Sequence, residues 1–143
     1  TLDLKVKSVL KPLLVAVAPG AHLISGAPPS KMSSSEEERE RYMADPLNTP
    51  GEMTVVTGAS TGEGMEAVHA RQREIACPLL AIHGSEDAVC DENAVKSLVE
   101  AVASTDKSFV EMPGMWHTCF HEPEWRKVSK VLSDWLEQRA PPR

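Results

Sequence analysis

The chain is poor in aromatic residues, in cysteine and in basic charge, and each shortage excludes a class of protein. Aromatic residues make up 4% of the 143 residues, and 15 Lys plus Arg against 21 Asp plus Glu give a net charge of −6. A phosphate backbone is held by basic surface interleaved with aromatic side chains, so nucleic acid is not expected as a partner. The three cysteines lack Cys-x-x-Cys spacing. They predict neither a disulfide framework nor a structural zinc site, and indicate a reducing, cytoplasmic compartment.

Long apolar runs and a secretory signal are also missing. No apolar stretch approaches the ~20 residues of a membrane-spanning helix, and no basic and apolar signal pattern opens the chain. Because the chain begins with Thr1 rather than methionine, this lack of targeting signals carries no conclusion. Hydrophobic residues at 41% and charged residues at 25% are the balance of a folded globular chain.

The first helix is predicted over residues 5–18, where apolar side chains recur with helical spacing. Pro12 is expected to kink this helix or end its first part, because proline lacks the N–H and its ring clashes with the preceding turn. The helix is interpreted as core-facing. The alternative is contact with lipid or an apolar substrate, since its polar face is basic (Lys5, Lys7 and Lys11).

The stretch that follows alternates loops and short helices. Residues 19–35 are rich in Pro, Gly and Ser and predict an irregular loop. Ser35 with three glutamates after it predicts an N-cap, opening a short helix that runs to about Met43. An apolar and β-branched stretch at 53–57 then precedes a polar helix predicted from Glu63 to Glu74.

The second half predicts a strand, helix, strand, helix order. Residues 78–83 are an apolar run typical of a strand buried on both faces of a parallel sheet. A helix over 92–103, capped by Asp91, and a strand over 108–112 follow. This order predicts an α/β unit with two parallel strands and a right-handed crossover. A last helix, beginning at Pro123, is predicted to bury Trp125, Val128, Val131, Leu132, Trp135 and Leu136.

Two acid-base residues follow these strands. Asp87 comes three residues after Gly84, and His117 comes three residues after Gly114. The carboxyl ends of parallel strands meet at one edge of a sheet, where a carboxylate can orient a histidine that accepts a proton from a serine hydroxyl. Taken singly, Asp87 would be interpreted as a loop residue that caps the next helix. His117 would be interpreted as a structural histidine, with its hydrogen bonds made, that packs beside Trp116. The pair at successive strand ends favours a catalytic dyad.

Other titratable residues give weaker signals. A metal site of His117, Cys119 and His121 is an alternative, although spacing by twos suits no common zinc pattern. The remaining histidines, His22, His69 and His83, are interpreted as structural or exposed. We therefore predict no metal and no cofactor.

Residues 84–91 form the distinctive string Gly-Ser-x-Asp-x-x-Cys-Asp, and residues 113–117 are Pro-Gly-Met-Trp-His. With these strings, residues 77–124 resemble the C-terminal part of the monoacylglycerol lipase and lysophospholipase branch of the α/β-hydrolases. A weaker resemblance runs back through Tyr-Met-Ala-Asp-Pro-Leu at 42–47 to the first helix. The resemblance implies a mostly helical cap over residues 1–75 and the C-terminal segment of the α/β-hydrolase core over 76–143.

The same resemblance implies roles. Asp87 would be the triad acid and His117 the base, the first helix would belong to a lid over an acyl-chain channel, and Cys90 would lie near the active-site mouth within reach of oxidants and electrophiles. The substrate would be a monoacylglycerol or lysophospholipid-type ester. The lid helix would also touch membranes peripherally, and the N-terminal part of the same hydrolase would be a partner.

The family's nucleophile elbow, Gly-x-Ser-x-Gly, and its oxyanion-hole stretch are expected before the cap, and neither is found there. Residues 58–62 match the elbow's letters around Ser60, but they lie within the cap-like stretch, and Gly64 weakens the helix that should follow. Ser60 is therefore either a nucleophile or a cap-loop residue. The sequence predicts a serine ester hydrolase lacking these regions. The alternative is a non-catalytic, lid-like module that binds lipid or a partner.

Overall fold

The computed structural model describes residues 4–140, with side chains described for residues 10–140. Five α-helices and four strands alternate along this part of the chain, with short 3-10 turns at 29–31, 72–74 and 119–121. Their order is α1 (Leu4–Val17), β1 (His22–Ser25), α2 (Glu36–Ala44), β2 (Glu52–Thr54), α3 (Val55–Arg71), β3 (Leu79–Gly84), α4 (Glu92–Ala101), β4 (Lys107–Met112) and α5 (Trp125–Glu137).

Strands β3 and β4 pair in parallel, in a register that runs from Leu79 beside Lys107 to Gly84 beside Met112. Helix α4 connects them and packs on both. The predicted strand, helix, strand order is thereby confirmed. The predicted double-sided burial of β3 is wrong: residues 79–82 are only half-buried. Among the described residues β3 has β4 as its one neighbouring strand, so its other edge is uncovered, and a two-stranded sheet is too narrow for α4 and α5 to bury both faces.

Helix α5 covers a small core beneath the sheet. Met112, Met115, Cys119 and Val128 form a buried cluster, with Val128 fully enclosed. The predicted burial of the whole apolar face of α5 is wrong, because Trp125 and Leu136 are exposed. One side of the helix contacts β3 and the short helical turn 119–121, while Trp125 and Leu136 lie outside this contact.

The N-terminal elements differ more from expectation. Helix α1 agrees with the helix predicted over residues 5–18, but the end expected as one effect of Pro12 is not found: the helix continues to Val17 and packs on α3. The predicted loop 19–35 contains β1, which pairs antiparallel with β2. Strand β1 is exposed along its length, and β2 has three residues of which Met53 and Thr54 are half-buried, so neither strand shows an alternation of buried and exposed residues.

Helix α3 begins at Val55, eight residues before the predicted start at Glu63. The Thr54 side chain accepts a hydrogen bond from the backbone N–H of Thr57 at 3.2 Å and caps the helix. The N–H of Val55 also donates to the carbonyl of Ala21 at 2.9 Å. These two contacts satisfy N–H groups that have no partner within the first turn of a helix. The helix can therefore begin directly after β2.

Helix α2 begins as predicted. The Ser35 hydroxyl accepts a hydrogen bond from the N–H of Glu38, and Glu36, Glu37 and Glu38 occupy the first turn. Over residues 4–140, none of the helices has the length and apolar character needed to cross a bilayer.

Candidate active site

Asp87 lies in the loop that follows β3. Its Oδ1 atom accepts hydrogen bonds from the backbone N–H groups of Val89 at 2.7 Å and Cys90 at 3.0 Å. Helix α4 is capped instead by Asp91, whose side chain accepts from the N–H of Asn93 at 2.9 Å. Helix capping therefore does not account for Asp87.

His117 lies in the loop after β4, which we call the histidine loop (residues 113–122). Its Nδ1 atom is 2.9 Å from Asp87 Oδ2. The Asp87 side chain is 4% exposed and the His117 side chain 27% exposed. The structure thus brings the two predicted residues together, with the carboxylate buried and the imidazole reachable from solvent.

The two loops approach each other at Gly84. A Cβ atom on Gly84 would overlap the carbonyl oxygens of Met115 and Trp116, so only glycine fits at this contact. The Ser85 hydroxyl accepts a hydrogen bond from the N–H of Gly114 at 2.9 Å, which ties the loops a second time. This close backbone contact sets the distance between the carboxylate and the imidazole.

The pKa of Asp87 is lowered in the folded chain. Burial on its own would raise this pKa, but the hydrogen bond with His117 and the N–H groups of Cys90 and Val89 together outweigh it. The positive charge on a protonated His117 acts in the same direction. Asp87 is therefore held as a carboxylate, the form that orients an imidazole.

His83 is a neighbour of this pair that sequence reasoning missed. It is buried, with its Nε2 atom 3.4 Å from Asp87 Oδ2 and its Nδ1 atom 3.0 Å from the carbonyl of Gly84. Of the two expectations for His83, structural or exposed, the second is wrong because the residue is buried, and its proximity to Asp87 was not predicted. Its position at the end of a predicted strand, four residues before Asp87, was the signal that could have identified it.

Cys90 lies beside the pair and is exposed. Partial burial of its thiol, followed by the negative charge of Asp87, raises the pKa of Cys90. The thiol is thus less ionised than an ordinary cysteine, although reagents can reach it.

A metal donor set forms at the same place. Within the described side chains, donor atoms of Asp87, Cys90 and His117 lie within 4.8 Å of one another. Sulfur, imidazole and carboxylate donors of this kind can hold a soft divalent ion, but the carboxylate and imidazole already bond to each other. The alternative set with Cys119 and His121 is not assembled: the Cys119 thiol is buried and His121 bonds to a glutamate on α2.

Ser60 does not occupy a strand-to-helix elbow. It is an exposed residue within α3, five positions beyond the start of the helix at Val55. The cap-loop interpretation is also wrong, since residues 58–62 are helical. Close packing explains the first glycine of the motif. A Cβ at Gly58 would meet the Ile24 side chain at 2.9 Å, so this glycine lets β1 pack closely on α3.

Comparison with known proteins places these residues in a family. The family described as serine aminopeptidase, S33, matches residues 3–124. A monoacylglycerol lipase of Mycolicibacterium smegmatis is 30% identical over 134 residues, which are 89% of this chain and 48% of that protein. The phospholipase YtpA of Bacillus subtilis is 33% identical over 61 residues, 43% of this chain and 24% of that protein.

Two solved structures share the fold. The crystal structure of Paleococcus ferrophilus monoacylglycerol lipase has a TM-score of 0.83 and 26% identity, covering 96% of this chain and 54% of that one. A soluble variant of Saccharomyces cerevisiae monoglyceride lipase, in complex with a substrate analogue, has a TM-score of 0.73 and 19% identity, covering 95% of this chain and 50% of that one. The chain therefore spans about half the length of these relatives.

Proposed function

The chain belongs to the serine aminopeptidase S33 family of α/β-hydrolases, and from that membership we propose that Asp87 and His117 are the acid and the base of a serine hydrolase. The observation that carries the proposal is their 2.9 Å contact at the carboxyl ends of two adjacent parallel strands. In open α/β sheets, reactive groups collect at this edge.

The proposed mechanism assigns one task to each residue. His117 takes the proton of a serine hydroxyl through Nε2, while Asp87 holds Nδ1–H and stabilises the imidazolium that forms. The serine attacks the ester carbonyl, the alcohol leaves with the proton from His117, and water hydrolyses the acyl-enzyme. The serine and the oxyanion-hole donors come from the N-terminal part of the same hydrolase.

We further propose that the substrate is a carboxylic ester of glycerol or of a lysophospholipid. The similarity to a monoacylglycerol lipase and to a phospholipase supports this class. In this proposal residues 1–75 form the cap and residues 76–143 the core segment with the acid and base. Exposed apolar side chains at Leu13, Val17 and Leu23 support contact between the cap and a lipid chain or membrane surface.

Removal of the dyad tests this function in the full-length protein. We expect Asp87→Asn to lower kcat on a monoacylglycerol about 10⁴-fold, because the imidazole loses the partner that fixes its tautomer. Asp134→Asn, a change at an exposed carboxylate on α5, is the matched control and should leave turnover unchanged. Turnover by Asp87→Asn close to wild type would refute the assignment.

A non-catalytic, lid-like module is the second candidate, and the exposed apolar residues of α1 and β1 favour it. A fluorophosphonate probe separates the two functions. The 143-residue chain should remain unlabelled at Ser60, whereas the full-length protein should be labelled at its own serine. Binding of monoacylglycerol vesicles without turnover or labelling of the full-length protein would favour the module.

A further inference from the structure

A segment far from His117 in the sequence holds the loop that carries it. The Met32 carbonyl accepts hydrogen bonds from the Thr118 N–H at 2.8 Å and the Thr118 hydroxyl at 2.6 Å. The Ser33 hydroxyl donates to the His121 carbonyl at 2.8 Å, and Ser33 is 2% exposed. These contacts join two stretches of chain that lie more than eighty residues apart.

Glu122 closes the same contact with a buried carboxylate. Its Oε1 atom accepts a hydrogen bond from the Ser34 N–H at 2.8 Å, and its Oε2 atom accepts from the Ser34 hydroxyl. Glu122 is 3% exposed. A carboxylate is rarely buried this deeply unless hydrogen bonds compensate for lost solvation. Both carboxylate oxygens of Glu122 thus accept hydrogen bonds from Ser34 rather than from solvent.

The residue on the other side of His117 is contacted as well. The Arg39 guanidinium lies over the Trp116 ring at 5.8 Å from its centroid. Arg39 also donates to the Ser33 carbonyl at 2.6 Å, which fixes it to the same segment. Trp116 and Thr118, the two residues that flank His117, therefore both contact residues 32–39.

We propose that residues 32–39, through Thr118 and Glu122, position His117 against Asp87, so that Thr118 and Glu122 are positioning residues for the base. This inference rests on the proposed function, because it assigns the contact a role in that same site. Asp87 and Gly84 contact the histidine loop on the side of β3, and residues 32–39 hold it at the two residues that flank His117.

The first test reads the imidazole directly and needs no activity. In the 143-residue chain, the Nδ1–H proton of His117 should give a downfield resonance, identified by its loss in His117→Gln. Thr118→Val removes the hydroxyl donor at nearly constant shape, and Glu122→Ala removes the carboxylate. We expect both to shift this resonance and to speed its exchange with water, while Thr118→Ser restores it. Glu124→Ala, a change at an exposed residue nearby, should have no effect.

The second test uses the full-length protein. Thr118→Val should lower kcat between about 10-fold and 100-fold with little change in KM, since a small misplacement of a reacting group acts on the chemical step. If Glu122→Ala fails to fold, Thr118→Val and Ser34→Ala still test the claim. A lowered melting temperature with an unchanged His117 resonance and kcat would overturn it. An inactive wild-type protein with the resonance still displaced in the variants would refute the proposed function instead.

Discussion

Asp87 keeps its charge because hydrogen-bond donors converge on both carboxylate oxygens. Val89 and Cys90 donate to one oxygen, and His117 faces the other. The backbone donors come from a turn of the Asp87 loop, so they are in place before any substrate binds. Preorganised donors of this kind make the carboxylate a fixed reference for the imidazole.

This arrangement predicts how stability depends on pH. Asp87 has a folded pKa below its ordinary value of 3.8, so its contribution to stability is present above pH 3.8 and is lost as the pH falls through the folded pKa. We expect the free energy of unfolding of wild type to exceed that of Asp87→Asn by about 2 kcal/mol at neutral pH. The difference should shrink below pH 3.8. Urea unfolding at a series of pH values checks this; a difference that grows as the pH falls would contradict it.

The thiol of Cys90 offers a second measurement at the residue scale. Because the Asp87 charge helps to raise the pKa of Cys90, Asp87→Asn should increase its thiolate fraction and its rate of alkylation by iodoacetamide. Cys77, which is also exposed, is the internal reference. Peptide mass spectrometry gives both rates, and an unchanged ratio of Cys90 to Cys77 would show that the charge does not reach the thiol.

At the scale of elements, the site depends on how closely two loops approach. The loop after β3 and the histidine loop after β4 touch through backbone atoms at Gly84. The parallel register places the ends of β3 and β4 side by side, with Gly84 opposite Met112. The sheet therefore sets the coarse position of both loops, and the glycine contact sets the fine one.

Glycine substitutions separate these contributions. Gly84→Ala should destabilise the chain by about 1–3 kcal/mol, because its Cβ overlaps two carbonyl oxygens that cannot move aside cheaply. Gly62→Ala, in α3, meets nothing within 4 Å and should stabilise the chain by about 0.5–1 kcal/mol through helix propensity. Thermal unfolding of both variants checks the pair. A neutral Gly84→Ala would mean that the loops are not in contact.

The same elements explain what the sequence could predict. Strand β3 is a short apolar run, β4 follows as a second short stretch of strand-forming residues, and α4 has apolar residues at helical spacing, so these elements and the strand-end residues Asp87 and His117 could be located. Helix α3 begins earlier than predicted because Thr54 and the Ala21 carbonyl cap it. Its three glycines have low helix propensity, so the sequence did not indicate this start. The contact of Glu122 with Ser34 could not be predicted, since its partners lie 88 residues apart.

For the whole molecule, contacts fall into two groups. Helix α3 packs on α1 and on the β1 and β2 pair, while α4 packs on β3 and β4 and α5 packs on β3. Residues 32–39 join the histidine loop in the second group through their hydrogen bonds. The proposed cap is thus divided, with one part fixed to the site and another held mainly by its own contacts.

Amide exchange should reveal this division. The β1 and β2 pair has only two short strands with mostly exposed side chains, so its amides should exchange faster than those of β3 and β4. Residues 32–35 should be protected together with the histidine loop. Hydrogen-exchange mass spectrometry on the corresponding peptides measures both. Equal protection of the two strand pairs would contradict the division.

The stacking of Arg39 on Trp116 has a practical consequence. The three tryptophans, Trp116, Trp125 and Trp135, all lie in the second half of the chain. Intrinsic fluorescence therefore reports on the part that carries Asp87 and His117, and an emission change on Arg39→Ala would come chiefly from Trp116. Tryptophan emission thus reports whether residues 32–39 remain in contact with the histidine loop.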